Sequence, residues 1–212
     1  MIPAFNKATT CTLIFLHGLG DSGHGWRGAM KILSQKLPFL KIVLPNAPLQ
    51  KVTLNGGAVM PAWYDLITLN PDDHRDDREG INRSKAQIVQ MIEEEKRGGI
   101  EKVLVGGFSQ GAVVALKAGL ECNAAAGVIA LSGYYAMADE RIENGGAKIF
   151  MAHGEEDAMI GHQWGRRSYE ALKAKGMDVE FRSYPGMGHE ASVEELEDVV
   201  KFIQGFTFHK EL

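Results

Sequence analysis

Cysteine is scarce: Cys11 and Cys122 are the only two in 212 residues. They lie far apart in apolar surroundings, with no CxxC or other metal-ligand spacing, so neither a disulfide framework nor a cysteine-built metal site is expected. Two buried free thiols suit a reducing compartment. Long apolar runs are missing as well. Nowhere do 18 apolar residues follow one another, so no integral membrane span is expected. The apolar stretch 12–16 is too short for a signal-peptide core, and Ile2 excludes an N-myristoylation start. The tail His209-Lys210-Glu211-Leu212 echoes an ER-retrieval signal only loosely. The expected location is the cytoplasm. A basic surplus is also absent. The formal net charge of −4 leaves no global field to hold nucleic acid or anionic lipid.

What is present points to a globular enzyme. Hydrophobic residues make up 45% and charged residues 24%, which suits one domain spanning residues 1–212. Glycine is over-represented: 25 residues is about 12%, against a usual ~7%. Glycines in such number suit backbone that turns sharply or approaches a ligand closely.

Short β-branched or aliphatic runs at 12–16, 41–44, 102–105, 127–131, 147–152 and 179–184 alternate with helix-like stretches. Most runs are apolar throughout, as strands of a parallel sheet covered on both faces tend to be. The helices are expected at 81–96, 110–120, 165–175 and 192–203. The last opens on a capping-box pattern, Ser192 with Glu195, and Gly176 follows a helix end at 173–175. This rhythm predicts an α/β fold, a mostly parallel sheet with helices on both faces. Two segments break it. The charge run 72–79 reads as a solvated loop. The segment 45–69 is long, punctuated by Gly and Pro, and yet apolar; it either packs over the core or lines a site for a greasy substrate.

Gly107-Phe108-Ser109-Gln110-Gly111 fits the G-x-S-x-G nucleophile elbow, with a strand before it and an apolar helix after it. The glycines allow the tight turn that thrusts the serine hydroxyl outward. A serine hydroxyl needs a base, and in this arrangement the chain order is Ser, acid, His. That order removes His17, His24 and His74. His153 ends a strand with no strand-borne acid between it and Ser109, and His209 lies in the tail. His189, in a Gly-rich loop after the last strand, is the expected base. Glu155, Glu156 and Asp157 all satisfy the spacing for the acid. Asp157 is preferred, with the two glutamates as solvated turn residues. Its carboxylate would accept the His189 Nδ1–H. The oxyanion donors are expected to be the backbone N–H groups of Gln110 and of Leu19, in the Gly-rich loop after the first strand.

That loop, Gly18-Leu19-Gly20-Asp21-Ser22-Gly23, also satisfies the dinucleotide pattern G-x-G-x-x-G. Three features argue against it: His24-Gly25-Trp26 is a poor helix opening, the next strand ends on Pro45-Asn46 rather than an acid, and a hydrolase constellation explains the same glycines.

Several longer blocks carry a family resemblance: the segment from Leu16 to Trp26, Pro45-Asn46-Ala47-Pro48, Val52-Thr53-Leu54-Asn55-Gly56-Gly57, Met60-Pro61-Ala62-Trp63-Tyr64-Asp65, Gly106 to Gly111 and His153-Gly154-Glu155-Glu156-Asp157. On these the chain resembles the acyl-protein thioesterases and small, lysophospholipase-like carboxylesterases of the α/β-hydrolase fold. The resemblance implies a cofactor-free, cytosolic serine hydrolase that removes palmitoyl groups from protein cysteines. It implies the triad Ser109, Asp157 and His189, oxyanion donors Leu19 and Gln110, and an acyl channel lined by the loop bearing Leu54, Met60 and Trp63. Its partners would be S-acylated proteins or small acyl esters, and an apolar rim would serve a membrane, a lipidated partner or a weak homodimer. Two departures are visible: Ala158-Met159-Ile160-Gly161 follows the acid where the family has Pro and then hydrophobic residues, at a place expected to shape the acyl end, and Gly161-His162-Gln163-Trp164 also departs from the family pattern. The rival readings are a carboxylesterase for short soluble esters and a non-catalytic binding protein on the same fold.

Overall fold

A computed structural model describes residues 1–3, 9–70, 73 and 75–206. Asp72, His74, His209 and the tail 209–212 lie outside the described residues. One parallel sheet is built from β1 (Cys11–Leu16), β2 (Leu40–Val43), β5 (Lys102–Phe108), β6 (Ala125–Leu131), β7 (Lys148–Gly154) and β8 (Asp178–Tyr184). Its six strands lie in the order β2-β1-β5-β6-β7-β8. A separate antiparallel hairpin joins β3 (Leu49–Val52) to β4 (Ala58–Pro61).

Alternation along each buried strand feeds two cores. Leu13, Phe15, Leu104, Ile129 and Phe150 face α1 (Arg27–Lys36) and α5 (Val193–Gln204). Ile14, Leu16, Val105, Val128 and Met151 face α2 (Arg78–Arg97), α3 (Gln110–Glu121) and α4 (His162–Ala174). Covered on both faces, β1, β5, β6 and β7 are apolar almost throughout, whereas β8 at the end of the sheet carries Asp178, Glu180, Arg182 and Ser183. All six expected strands and all four expected helices form. Ser192 caps α5, its Oγ accepting from the Glu195 N–H at 3.0 Å. Gly176 takes a left-handed φ of +80° just past α4, as its placement predicts.

Three expectations need correction. A helix does open beside His24-Gly25-Trp26: α1 starts at Arg27 with no capping side chain and no acid in its first turn, so it lacks a start signal, and the dinucleotide pattern loses one of the grounds against it. The segment 45–69 is not a plain loop, because it contains the β3–β4 hairpin and a 3₁₀ turn at Thr53–Asn55. Gln50 and Lys51 in β3 and Pro61 in β4 blur the apolar alternation that would mark such strands. Within the charge run, Asp77 is the N-cap of α2; its carboxylate accepts from the Gly80 and Asp65 N–H groups, each at 2.9 Å. No described helix is long and apolar enough to cross a membrane.

Candidate active site

Ser109 joins the central strand β5 to α3 with φ +54° and ψ −119°, a conformation costing on the order of 1–3 kcal/mol for a non-glycine residue. The flanking glycines make it reachable. A Cβ on Gly107 would stand 2.4 Å from the Gly111 carbonyl, and one on Gly111 2.3 Å from the Leu16 carbonyl oxygen. Only bare backbone lets strand, elbow and helix approach so closely.

His189 brings Nε2 to 3.0 Å from Ser109 Oγ and Nδ1 to 2.7 Å from Asp157 Oδ2. Of the three carboxylates open to the sequence argument, Asp157 is buried and meets the histidine, whereas Glu155 and Glu156 are exposed. Asp157 Oδ1 accepts from the N–H groups of Met159 and Ile160, at 2.9 and 2.8 Å. Burial alone would raise its pKa. Hydrogen bonds from His153, His189 and the Ile160 amide outweigh that, and hold it well below the usual carboxylate range. The Phe108 ring stands 4.8 Å from that of His189 and is itself backed by Trp26 at 5.2 Å.

These groups open onto a cleft of about 700 Å³, lined in part by Leu54, Met60, Leu66, Leu69, Tyr134 and Met159, within the range typical of small-molecule sites. Leu19 and Gln110 also line it. The Gln110 N–H is the first of α3, and such an N–H has no intrahelical acceptor. Gly20 N–H donates to the Pro61 carbonyl at 2.8 Å, tying the Leu19 loop to the hairpin. Behind Tyr64 and Tyr134, whose hydroxyls are 3.4 Å apart, a second hollow of about 530 Å³ has a mixed apolar and charged lining.

Trp63, expected in the lining, lies behind it. It is 2% exposed, donates Nε1–H to the His17 carbonyl at 2.8 Å and packs on the His17 ring at 5.2 Å. His17 in turn accepts the Ala47 N–H on Nε2 at 3.0 Å. Both residues hold the hairpin segment to the sheet. The Gln110 side chain shares that task, accepting the Trp63 N–H and donating to the Tyr64 carbonyl, each at 2.8 Å. Sequence reasoning assigned Gln110 only through its backbone. It also passed over His153, which lies against Asp157; the signal was the spacing His153-x-x-x-Asp157 around a tight turn. Among the described residues no group of three or more His, Cys, Asp and Glu side chains is placed to hold a metal ion.

A family model described as phospholipase/carboxylesterase matches residues 1–207. The chain is 37% identical over 219 residues to acyl-protein thioesterase 1 of Neurospora crassa, covering 96% of this chain and 89% of that one. It is 40% identical over 203 residues to acyl-protein thioesterase 1 homolog 1 of Dictyostelium discoideum, covering 92% and 89%. The crystal structure of Zea mays acyl-protein thioesterase 2 superposes with a TM-score of 0.85 at 31% identity, covering 97% of this chain and 96% of that one. The parallel sheet, the elbow and these relatives agree: the chain is an α/β-hydrolase and belongs to the phospholipase/carboxylesterase family.

Proposed function

We propose that this protein is an acyl-protein thioesterase of the cytoplasm, which hydrolyses the thioester joining a long acyl chain to a protein cysteine. The observation that carries the reading is the hydrogen-bonded series Ser109–His189–Asp157, at 3.0 and 2.7 Å, opening onto an apolar cleft of about 700 Å³. The names of the curated relatives agree with it, and two buried free thiols suit a reducing compartment.

Ser109 Oγ attacks the thioester carbonyl while His189 Nε2 takes its proton. Asp157 keeps the Nδ1–H tautomer and stabilises the imidazolium. The Leu19 and Gln110 amides receive the oxyanion. As the tetrahedral intermediate collapses, the C–S bond breaks and His189 returns the proton to the departing sulfur. Water then attacks the acyl-serine by the same route, releasing the fatty acid. A cysteine thiol, with an ordinary pKa of about 8.5, leaves with less assistance than an alcohol. The same groups would therefore also cleave oxygen esters. Preference for long chains comes from Leu54, Met60, Leu66 and Met159, because each buried methylene contributes about 0.8 kcal/mol, roughly fourfold in kcat/KM.

The test is kcat/KM for C2 to C16 acyl thioesters and matched oxygen esters, with Ser109→Ala as control. A rise toward long thioesters supports the reading; a maximum at C2 to C4 replaces it with a short-ester carboxylesterase. Ser109→Ala is expected to lower kcat by about 10⁶, and near-normal turnover in that variant overturns the mechanism.

A further inference from the structure

A buried histidine outside the Ser109–His189–Asp157 series shares the acid with it. His153, near the end of β7, is 1% exposed. Its Nε2 lies 2.7 Å from the Ile160 carbonyl oxygen and 3.3 Å from Asp157 Oδ2. Both neighbours are acceptors, so Nε2 carries the hydrogen. Nδ1 has no hydrogen-bond partner among the described residues, and a Cβ on Gly165 of α4 would stand 2.5 Å from it. The ring is thus wedged between the backbone of α4 and the loop that bears the acid.

The contacted oxygen matters. Asp157 Oδ1 is occupied by two backbone N–H groups. Oδ2 is the oxygen that accepts the His189 Nδ1–H, so His153 and His189 compete for the same lone-pair density. We infer that His153 is a positioning residue: its Nε2–H, forked between the Ile160 carbonyl and Asp157 Oδ2, fixes the carboxylate plane and sets how strongly Oδ2 holds His189. The inference rests on the proposed roles of Ser109, His189 and Asp157. A second donor on Oδ2 makes that oxygen a weaker acceptor for the imidazolium. Removing it makes His189 more basic and leaves the carboxylate freer to rotate.

The other groups around the pair are few. His162 of α4 presents its ring edge-on to His153 at 5.9 Å, and its pKa is lowered by burial first and then by His153. Glu155 and Arg166 act on His162 with opposite signs. Around His189 stand Asp157, Ser109 and the Phe108 ring, with exposed Glu190 next in the chain.

The test is the pH dependence of kcat and KM on p-nitrophenyl octanoate for the full chain, His153→Leu and His153→Gln. In the leucine variant kcat falls about tenfold with KM within about twofold, and the acidic limb of kcat/KM moves to higher pH by about 0.5. The glutamine variant places an amide N–H where the imidazole Nε2–H was, and returns the limb to its original position. An unmoved limb in His153→Leu overturns the inference, as does a glutamine variant no better than the leucine one. Should the variants not fold, ¹⁵N spectra of the unsubstituted protein decide: Nε2–H with bare Nδ1 on His153 supports the inference, and Nδ1–H overturns it. Asp157→Ala separates the two readings. Loss of turnover there with an unmoved limb in His153→Leu removes only the positioning role, whereas retained turnover removes the proposed triad as well.

Discussion

A Cβ placed on Gly154 would lie 2.2 Å from the carbonyl oxygen of Met187. Gly154 ends the strand that leads into the acid, and Met187 lies two residues before His189. Glu156 N–H donates to that same carbonyl at 3.0 Å, and Glu155 N–H to the Tyr184 carbonyl at 3.1 Å. The loops carrying acid and base are therefore one hydrogen-bonded unit, and a single missing side chain permits it. Gly154→Ala is expected to separate them, lowering stability by about 1–3 kcal/mol, as overpacking does, and lowering kcat more than tenfold. Denaturant titration alongside initial rates checks both; a variant with unchanged kcat would contradict the coupling.

The strained backbone of Ser109 predicts a contrast between two inactive variants. Ser109→Gly tolerates φ +54° at little steric cost and should gain about 1 kcal/mol in stability. Ser109→Ala keeps the strain and should gain little. Equal urea midpoints for the two variants would count against stored strain at the elbow.

Gln110 separates a backbone role from a side-chain role. Gln110→Ala keeps the amide proposed for the oxyanion, but leaves the Trp63 N–H and Tyr64 carbonyl unpaired in a buried setting. Stability should fall by about 1–3 kcal/mol. The hairpin bearing Met60 should loosen, so KM for long acyl chains rises more than KM for acetyl esters. Rates across the chain-length series read this directly.

Glu195 gives the fold a pH dependence of unusual sign. The side chain is 0% exposed, and the Ser192 backbone offsets only part of the cost of burying its carboxylate. Burial pushes its pKa from 4.5 up to about 8. Between those values the folded state holds a proton that the unfolded chain has released, so stability falls as pH rises through this window. Glu195→Gln should match the parent near pH 5 and exceed it by a few kcal/mol at pH 9. Thermal melts at the two pH values check it, and parallel curves would show that Glu195 does not titrate in this range. Asp157, held low, contributes the opposite slope at acid pH.

The sheet and the elbow were legible in the sequence because each rests on a local rule. Strands buried on both faces read as apolar runs, and the turn at Ser109 tolerates only glycine at 107 and 111. The choice among Glu155, Glu156 and Asp157 was less local, since spacing permits all three and burial distinguishes them. Helix α1 escaped because nothing caps it; packing of Met30 and Leu33 against the sheet stabilises it instead. Trp63 looked like a substrate contact because a large aromatic in an apolar loop suits either role, and its Nε1–H bond to His17 joins residues 46 positions apart. His153 stands only four positions from Asp157 and was set aside as a base for Ser109; its sharing of Oδ2 with His189 emerges only in the fold.

Ser109 stands at the end of a strand flanked on both sides, whereas His189 follows β8, which among the described residues has a neighbour on one side alone. The nucleophile is anchored in the interior and the base is delivered from the rim. Fraying that begins at the rim would withdraw the imidazole while the elbow kept its shape. Mild denaturant should then silence the enzyme well before the fold as a whole gives way.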